Sequence, residues 1–216
     1  MLVHAEGYVG PMEDLTEPSG PPPEDSAHQA TWLLLTYKVP NQSSRARVAV
    51  WRDLKRLGAL YLQQAVCVLP DAPHVVVKLE AVRRRIDDLG GTSFFGTLSH
   101  LAEADRKHLV DGFRANAERE YAEIVEECET KFFKEIEFER FRKNFTYEES
   151  EEIGQDLDKL RRWLDKATGR DWLGAPGRAE AEAKVAECAR MLEEFENEVF
   201  EVSEQVDDGP AGPLQK

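Results

Sequence analysis

Pro40, Gly58, Pro70 and the Gly90-Gly91 pair cut residues 31–98 into pieces so short and so distinctly patterned that few folds remain open to them. The run WLLLTYKV, ended by Pro40, is rich in large apolar residues, as a buried strand is. Asn41, Gln42, Ser43 and Ser44 supply turn residues and an N-cap. Val48, Val50, Trp51, Leu54 and Leu57 then recur at helical spacing, which predicts a helix from about Ser44 to Leu57. ALYLQQAVCVLP holds two short apolar runs around Gln63 and Gln64, and a tight hairpin or a single bent strand both fit it. Pro73 suits the first turn of a second helix, in which Val75, Val76, Leu79, Val82, Ile86 and Leu89 keep a 3.6-residue period. TSFFGTLS supplies a last strand.

The order β-α-β-β-α-β predicts an α+β unit on the split βαβ, ferredoxin-like plan. Two helices then cover one face of a four-stranded antiparallel sheet. Past His100 the chain turns to charged helix. From Glu103 to about Lys143, Leu109, Phe113, Ala117, Tyr121, Ile124, Cys128, Phe132 and Ile136 form one stripe. Thr146 with Glu149 makes a capping-box signature for a next helix carrying Ile153, Leu157, Leu160, Leu164 and Ala167 up to Gly169. After DWLGAPG, Pro176 heads a last helix whose Ala181, Val185, Cys188, Leu192, Phe195, Val199, Val202 and Val206 make a heptad seam. Narrow seams and short joints predict a three-helix antiparallel coiled-coil or bundle arm. The expected organisation is therefore a disordered leader at 1–29, a ferredoxin-like domain at 30–101, the arm at 102–206 and a disordered tail at 207–216.

The net charge of −14 is unevenly spread. Residues 1–30 carry six acids and no Lys or Arg, residues 31–98 sum to +5, and residues 99–206 to −12. With no apolar run long enough to span a bilayer and no basic n-region, a soluble cytoplasmic protein without a membrane partner is expected. Cys67, Cys128 and Cys188 are odd in number and far apart in sequence, which speaks against a disulfide framework and against CxxC chemistry. Cys128 and Cys188 both fall on seams and read as buried thiols.

No GxGxxG, P-loop, HExxH or GxSxG is present, so no common motif-bearing enzyme class, cofactor or metal is expected. His100 and His108 are spaced too widely for a helical metal site, and the glutamate pairs of the arm read as solvated surface. The cluster pointing to chemistry is Arg45, Arg47, Arg52, Lys55 and Arg56 on the first helix with Arg83, Arg84 and Arg85 on the second. Arginine forks match tetrahedral oxyanions by bidentate hydrogen bonding, so such a face fits a DNA backbone or a small anion. Pairing with the acidic arm is the competing fate.

WLLLTYKVP, SSRARVAVWRDLKRLGALYLQQAVCVLP, IGQDLDKLRRWL and RDWLGAPGRAEAEA together resemble the N-terminal domain of the ChrB family of chromate-resistance proteins, from roughly Thr31 to Val202. The resemblance implies a chromate-responsive transcriptional regulator with DNA, chromate or another oxyanion, or a homodimer or helical protein as partners. It also implies a second, C-terminal ChrB domain in longer members, supplied to this chain by a separate protein if at all. More remotely the opening block resembles the middle domain of PaaX-type repressors and a small CRISPR adaptation nuclease, whose first strand ends in a metal-binding acid. Lys38 stands there in this chain, and a non-enzymatic role is expected.

Overall fold

The computed structural model describes residues 31–40 and 44–207, with side chains through Glu204. The expected leader, the turn residues Asn41, Gln42 and Ser43, and the tail beyond Asp207 lie outside the described residues. Asp207 itself, where the tail was expected to begin, is still helical.

Strands and helices alternate as Trp32–Lys38 (β1), Ser44–Arg56 (α1), Leu60–Gln63 (β2), Val66–Pro70 (β3), Pro73–Asp88 (α2) and Thr92–Leu98 (β4). The four strands form one antiparallel sheet in the order β2-β3-β1-β4. The alternative left open at Gln63-Gln64 resolves as a hairpin. Ala65 takes a left-handed turn conformation (φ 61°), and an irregularity between Tyr61 and Gln63 absorbs the register.

Alternation along the strands gives the sheet two different faces. Leu33, Leu35, Cys67 and Leu69 point one way and pack beneath Val50 and Leu54 of α1 and Val75, Leu79, Val82 and Ile86 of α2. Trp32 and Val68 point the other way, toward Leu109 and Phe113 of the first arm helix, with the Trp32 and Phe113 rings stacked at 5.0 Å. Burying each such side chain stabilises the fold by about 1.5–3 kcal/mol.

Three apolar repeats differ from expectation. Val48 and Trp51 are exposed, because the inward stripe of α1 runs through Ala46, Val50, Leu54 and Leu57, and Val48 and Trp51 lie outside that arc. Leu89, at the end of α2, and Val202, near the end of the last helix, are also exposed, since the facing surfaces end before they do.

The second half consists of Glu103–Glu127 (α3), a π-helical turn at Cys128–Phe132, Phe133–Arg142 (α4), Tyr147–Thr168 (α5) and Arg178–Asp207 (α6). Its buried stripe explains the π-turn. Steps of exactly four residues drift about 40° per step around a 3.6-residue helix, so Leu109-Phe113-Ala117-Tyr121 rotates from the sheet to the arm's own core. Ile124-Cys128-Phe132-Ile136 keeps the same step yet all four stay in one core, and the wider π-turn takes up the drift. Thr146 caps α5, its Oγ1 accepting from the Glu149 amide at 3.2 Å.

Cross-contacts set the directions of the helices. Glu118 accepts from the Gly177 amide, Glu129 pairs with Lys184, and Arg140 pairs with Glu198, so α6 runs alongside α3 and α4 in the same sense. Tyr147 meets Ser203 and Glu120 meets Trp163, so α5 runs the opposite way. The segment between α5 and α6 brackets the sheet to these helices. Asp171 accepts from the Ala175 amide (2.9 and 3.1 Å) and from the Tyr121 hydroxyl (3.1 Å). Trp172 lies against His74 and against Gly58, whose φ of 76° and contact with the indole leave no room for a side chain. Among the described residues, no helix is long and apolar enough to cross a membrane.

Candidate functional site

The basic residues singled out in the sequence lie on α1 and α2, which cover the same sheet face, but they divide into three sets. Arg45, Arg52 and Arg56 share one flank of α1, away from its buried stripe. Asp53 sits at the edge of that flank and takes Arg56 at 3.0 Å and Arg85 at 2.6 Å, linking the two helices. Arg83 turns the other way, to β4: Nη1 meets Glu80 at 2.8 Å, Nε donates to Ser93 at 3.3 Å, and the guanidinium lies 5.3 Å from the Phe95 ring centre. Arg45, Arg52 and Arg84 are exposed, and no hydrogen bond or ion pair joins them to a described residue.

Arg47 and Lys55 occupy the opposite flank of α1, facing β2. Arg47 lines a cleft of about 640 Å³ with Trp51, Tyr37, Lys38, Tyr61 and Leu62. Trp51 is 47% exposed there, and the Tyr37 and Tyr61 hydroxyls are hydrogen-bonded at 2.9 Å. Burial pushes both phenols up, so they stay neutral donors and acceptors at physiological pH. Lys55 lies 5.6 Å from the Tyr61 ring centre and lines a second, smaller cavity of about 230 Å³ with Arg119 and Arg170 of the arm. Burial, and then the neighbouring Arg119, hold its ammonium below the usual lysine range.

The arm's charges are met locally. Lys131 pairs with Glu127, Lys134 with Glu137, Lys159 with Asp156, Arg178 with Glu182, and Arg140 with Glu194 and Glu198. Arg170 and the Trp163 indole both bond Glu120. The ion pairs of Arg56, Arg83 and Arg85 all stay within α1 and α2.

Sequence reasoning missed Trp51, because it counted that residue as core, and it missed Arg119 and Arg170, because only folding brings them to Lys55. A signal was available for Trp51: the helical angle separating it from Val50 and Leu54 sets it beside Arg47. Cys67 is fully buried in β3, and burial pushes its thiol up to about 12, which leaves no thiolate there for chemistry. No cluster of three or more metal-ligating side chains occurs among the described residues.

A mixed α+β protein with a basic, partly aromatic helix face and a long acidic helical extension is the class these features define. The model of the family described as "Protein ChrB, N-terminal" matches residues 47–206. The chain therefore belongs to the ChrB family, whose members are associated with chromate resistance. The match starts inside α1, so β1 lies outside it. Protein ChrB of Cupriavidus metallidurans is 35% identical over 57 residues, which is 26% of this chain and 18% of that relative. The alignment thus spans well under two thirds of the relative's length. No solved structure matches the chain.

Proposed function

We propose that this chain acts in chromate-responsive transcriptional control as a non-enzymatic, cytoplasmic regulatory protein. It is built from a ferredoxin-like domain over residues 30–101 and an antiparallel three-helix arm over residues 102–206. The solvent side of α1 and α2 contacts the DNA backbone, and the same guanidinium groups take chromate or a related oxyanion in its place. One observation supports this reading: Arg45, Arg52 and Arg84 are exposed on the two helices and make no hydrogen bond or ion pair among the described residues. Phosphate and chromate oxygens are tetrahedral and anionic alike, so one set of forks serves both.

Gel-mobility assays with the DNA upstream of the protein's own gene, with and without chromate, test this reading. Retardation at low salt, relieved by chromate, is expected. The absence of any retarded species at low salt, where phosphate contacts are strongest, would remove the DNA role.

A second reading has its own support. The arm seam from Ala181 to Val199 is buried within the chain, but Phe138, Phe141, Tyr147 and Phe200 are exposed toward the far end of the arm. They offer an apolar surface to a helical partner, a second copy or a separately encoded C-terminal ChrB domain. Light scattering that shows a monomer at all concentrations, together with no binding of such a domain, would remove this reading.

A further inference from the structure

We propose that Cys128 and Cys188 are a redox pair that closes as a disulfide across the arm when the protein meets a peroxide-class oxidant. This inference is independent of the DNA-binding reading. The two residues are far apart in sequence, yet the fold sets them level. Gly177 on Glu118, Lys184 on Glu129 and Glu198 on Arg140 form a ladder of contacts between α3–α4 and α6, and the two cysteines fall within it. Both are fully buried in the same apolar cluster, where the π-turn that Cys128 opens packs against α6.

The surroundings suit stepwise oxidation. The neighbouring Cys188 side chain, and then the Lys184 ammonium, hold Cys128 below the usual thiol range against the opposing effect of burial. Cys188 is held well above it. Cys128 is thus the attacking sulfur and Cys188 the resolving one. The Cys128 thiolate attacks one peroxide oxygen and the O–O bond breaks. The departing hydroxide takes a proton, leaving a sulfenic acid on Cys128. The Cys188 sulfur then attacks the Cys128 sulfur, the S–O bond breaks, and water leaves with the Cys188 proton. Two thiols are oxidised and one peroxide is reduced to two waters.

Access follows from the backbone. Cys128 opens the π-turn, where the regular α-helical bond pattern is interrupted, and a local opening there would admit the oxidant. Cys67 is an internal control, equally buried but on the sheet, with its thiol pushed up to about 12 and no second cysteine in its core cluster.

The test treats the full-length chain with hydrogen peroxide, counts free thiols after denaturation, and maps peptides without reduction. The expected result is a fall from three free thiols to one, with a Cys128–Cys188 cross-linked peptide that dithiothreitol reverses. Cys67→Ser should still lose two thiols, and Cys188→Ser should form no intramolecular link. Should Cys188→Ser fail to fold, the peptide map of the wild type decides alone. Three thiols persisting after treatment, or thiols lost without a Cys128–Cys188 peptide, would overturn the proposal.

Discussion

Along the arm, Lys131, Lys134, Lys159, Arg178 and Arg140 each find a carboxylate on their own or a neighbouring arm helix, whereas Arg45, Arg52 and Arg84 on the outer side of α1 and α2 find none among the described residues. The acidic half carries ample charge to neutralise the basic one, and both belong to one chain. The sheet keeps them apart. α3 packs on the face bearing Trp32 and Val68, while α1 and α2 cover the face bearing Leu33 and Leu35. Tethering opposite charges therefore does not make them meet when a packed layer lies between them. At Lys55 the halves do bring charges near one another, and there the arm group acting on the amine is another cation, Arg119.

Four variants break or sharpen this contrast. The largest effect is expected where the halves are bracketed together. Gly58→Ala imposes an L side chain at φ 76° and drives its Cβ to 2.8 Å from the Trp172 indole nitrogen. A loss of about 2–3 kcal/mol in urea unfolding is expected, from backbone strain and displaced packing together. A change below about 0.5 kcal/mol would show that the bracket is loose.

Next comes the triple change Arg45→Ala, Arg52→Ala and Arg84→Ala. It should weaken DNA binding by about 100-fold at low salt while moving stability by less than about 0.5 kcal/mol, since exposed unpaired side chains hold nothing in place. Fluorescence anisotropy and thermal melts on the same preparations separate the two effects.

Asp53→Asn acts in the other direction. It releases Arg56 and Arg85 from their shared carboxylate, so DNA binding should tighten roughly threefold at a stability cost of about 0.5 kcal/mol, as for exposed ion pairs. Weaker binding would mean that the pair positions those arginines instead of occupying them.

The smallest effect is expected in the arm. Burial, followed by Asp156, Glu149, Glu139 and Glu152, raises Glu135 above the usual glutamate range. The folded state then holds the proton more tightly than the unfolded one, so stability falls as pH rises from 4.5 through the raised value. Glu135→Gln should melt about 1–2 °C higher than wild type at pH 7, and the two should converge below about pH 4. A variant that melts lower at pH 7 would show that the carboxylate is held by favourable contacts.

The strand and helix order was legible because Pro40, Gly58, Pro70 and Gly90-Gly91 punctuate the chain by local sterics that packing does not override. The capping Thr146 was legible for the same reason. The composition of the basic face was legible too, but not its division. Whether Arg83 turns to Ser93 or Arg85 to Asp53 depends on helix phase relative to the sheet, and a one-position error had already placed Trp51 in the core. The meeting of Cys128 with Cys188 was out of reach, because it depends on α6 running alongside α3 and α4, which no local pattern records. The π-turn was half visible in the unvarying step of four from Ile124 to Ile136.

The central claim is that the outer side of α1 and α2 is an open oxyanion-binding surface. The salt dependence of duplex DNA binding, measured by anisotropy from low to physiological salt on the wild type and on the Arg45, Arg52 and Arg84 triple variant, tests it most directly. The wild type should lose affinity steeply with salt, and the triple variant should show a log–log slope shallower by about 2.7, the value for three lost phosphate contacts. Equal slopes for the two proteins would contradict it.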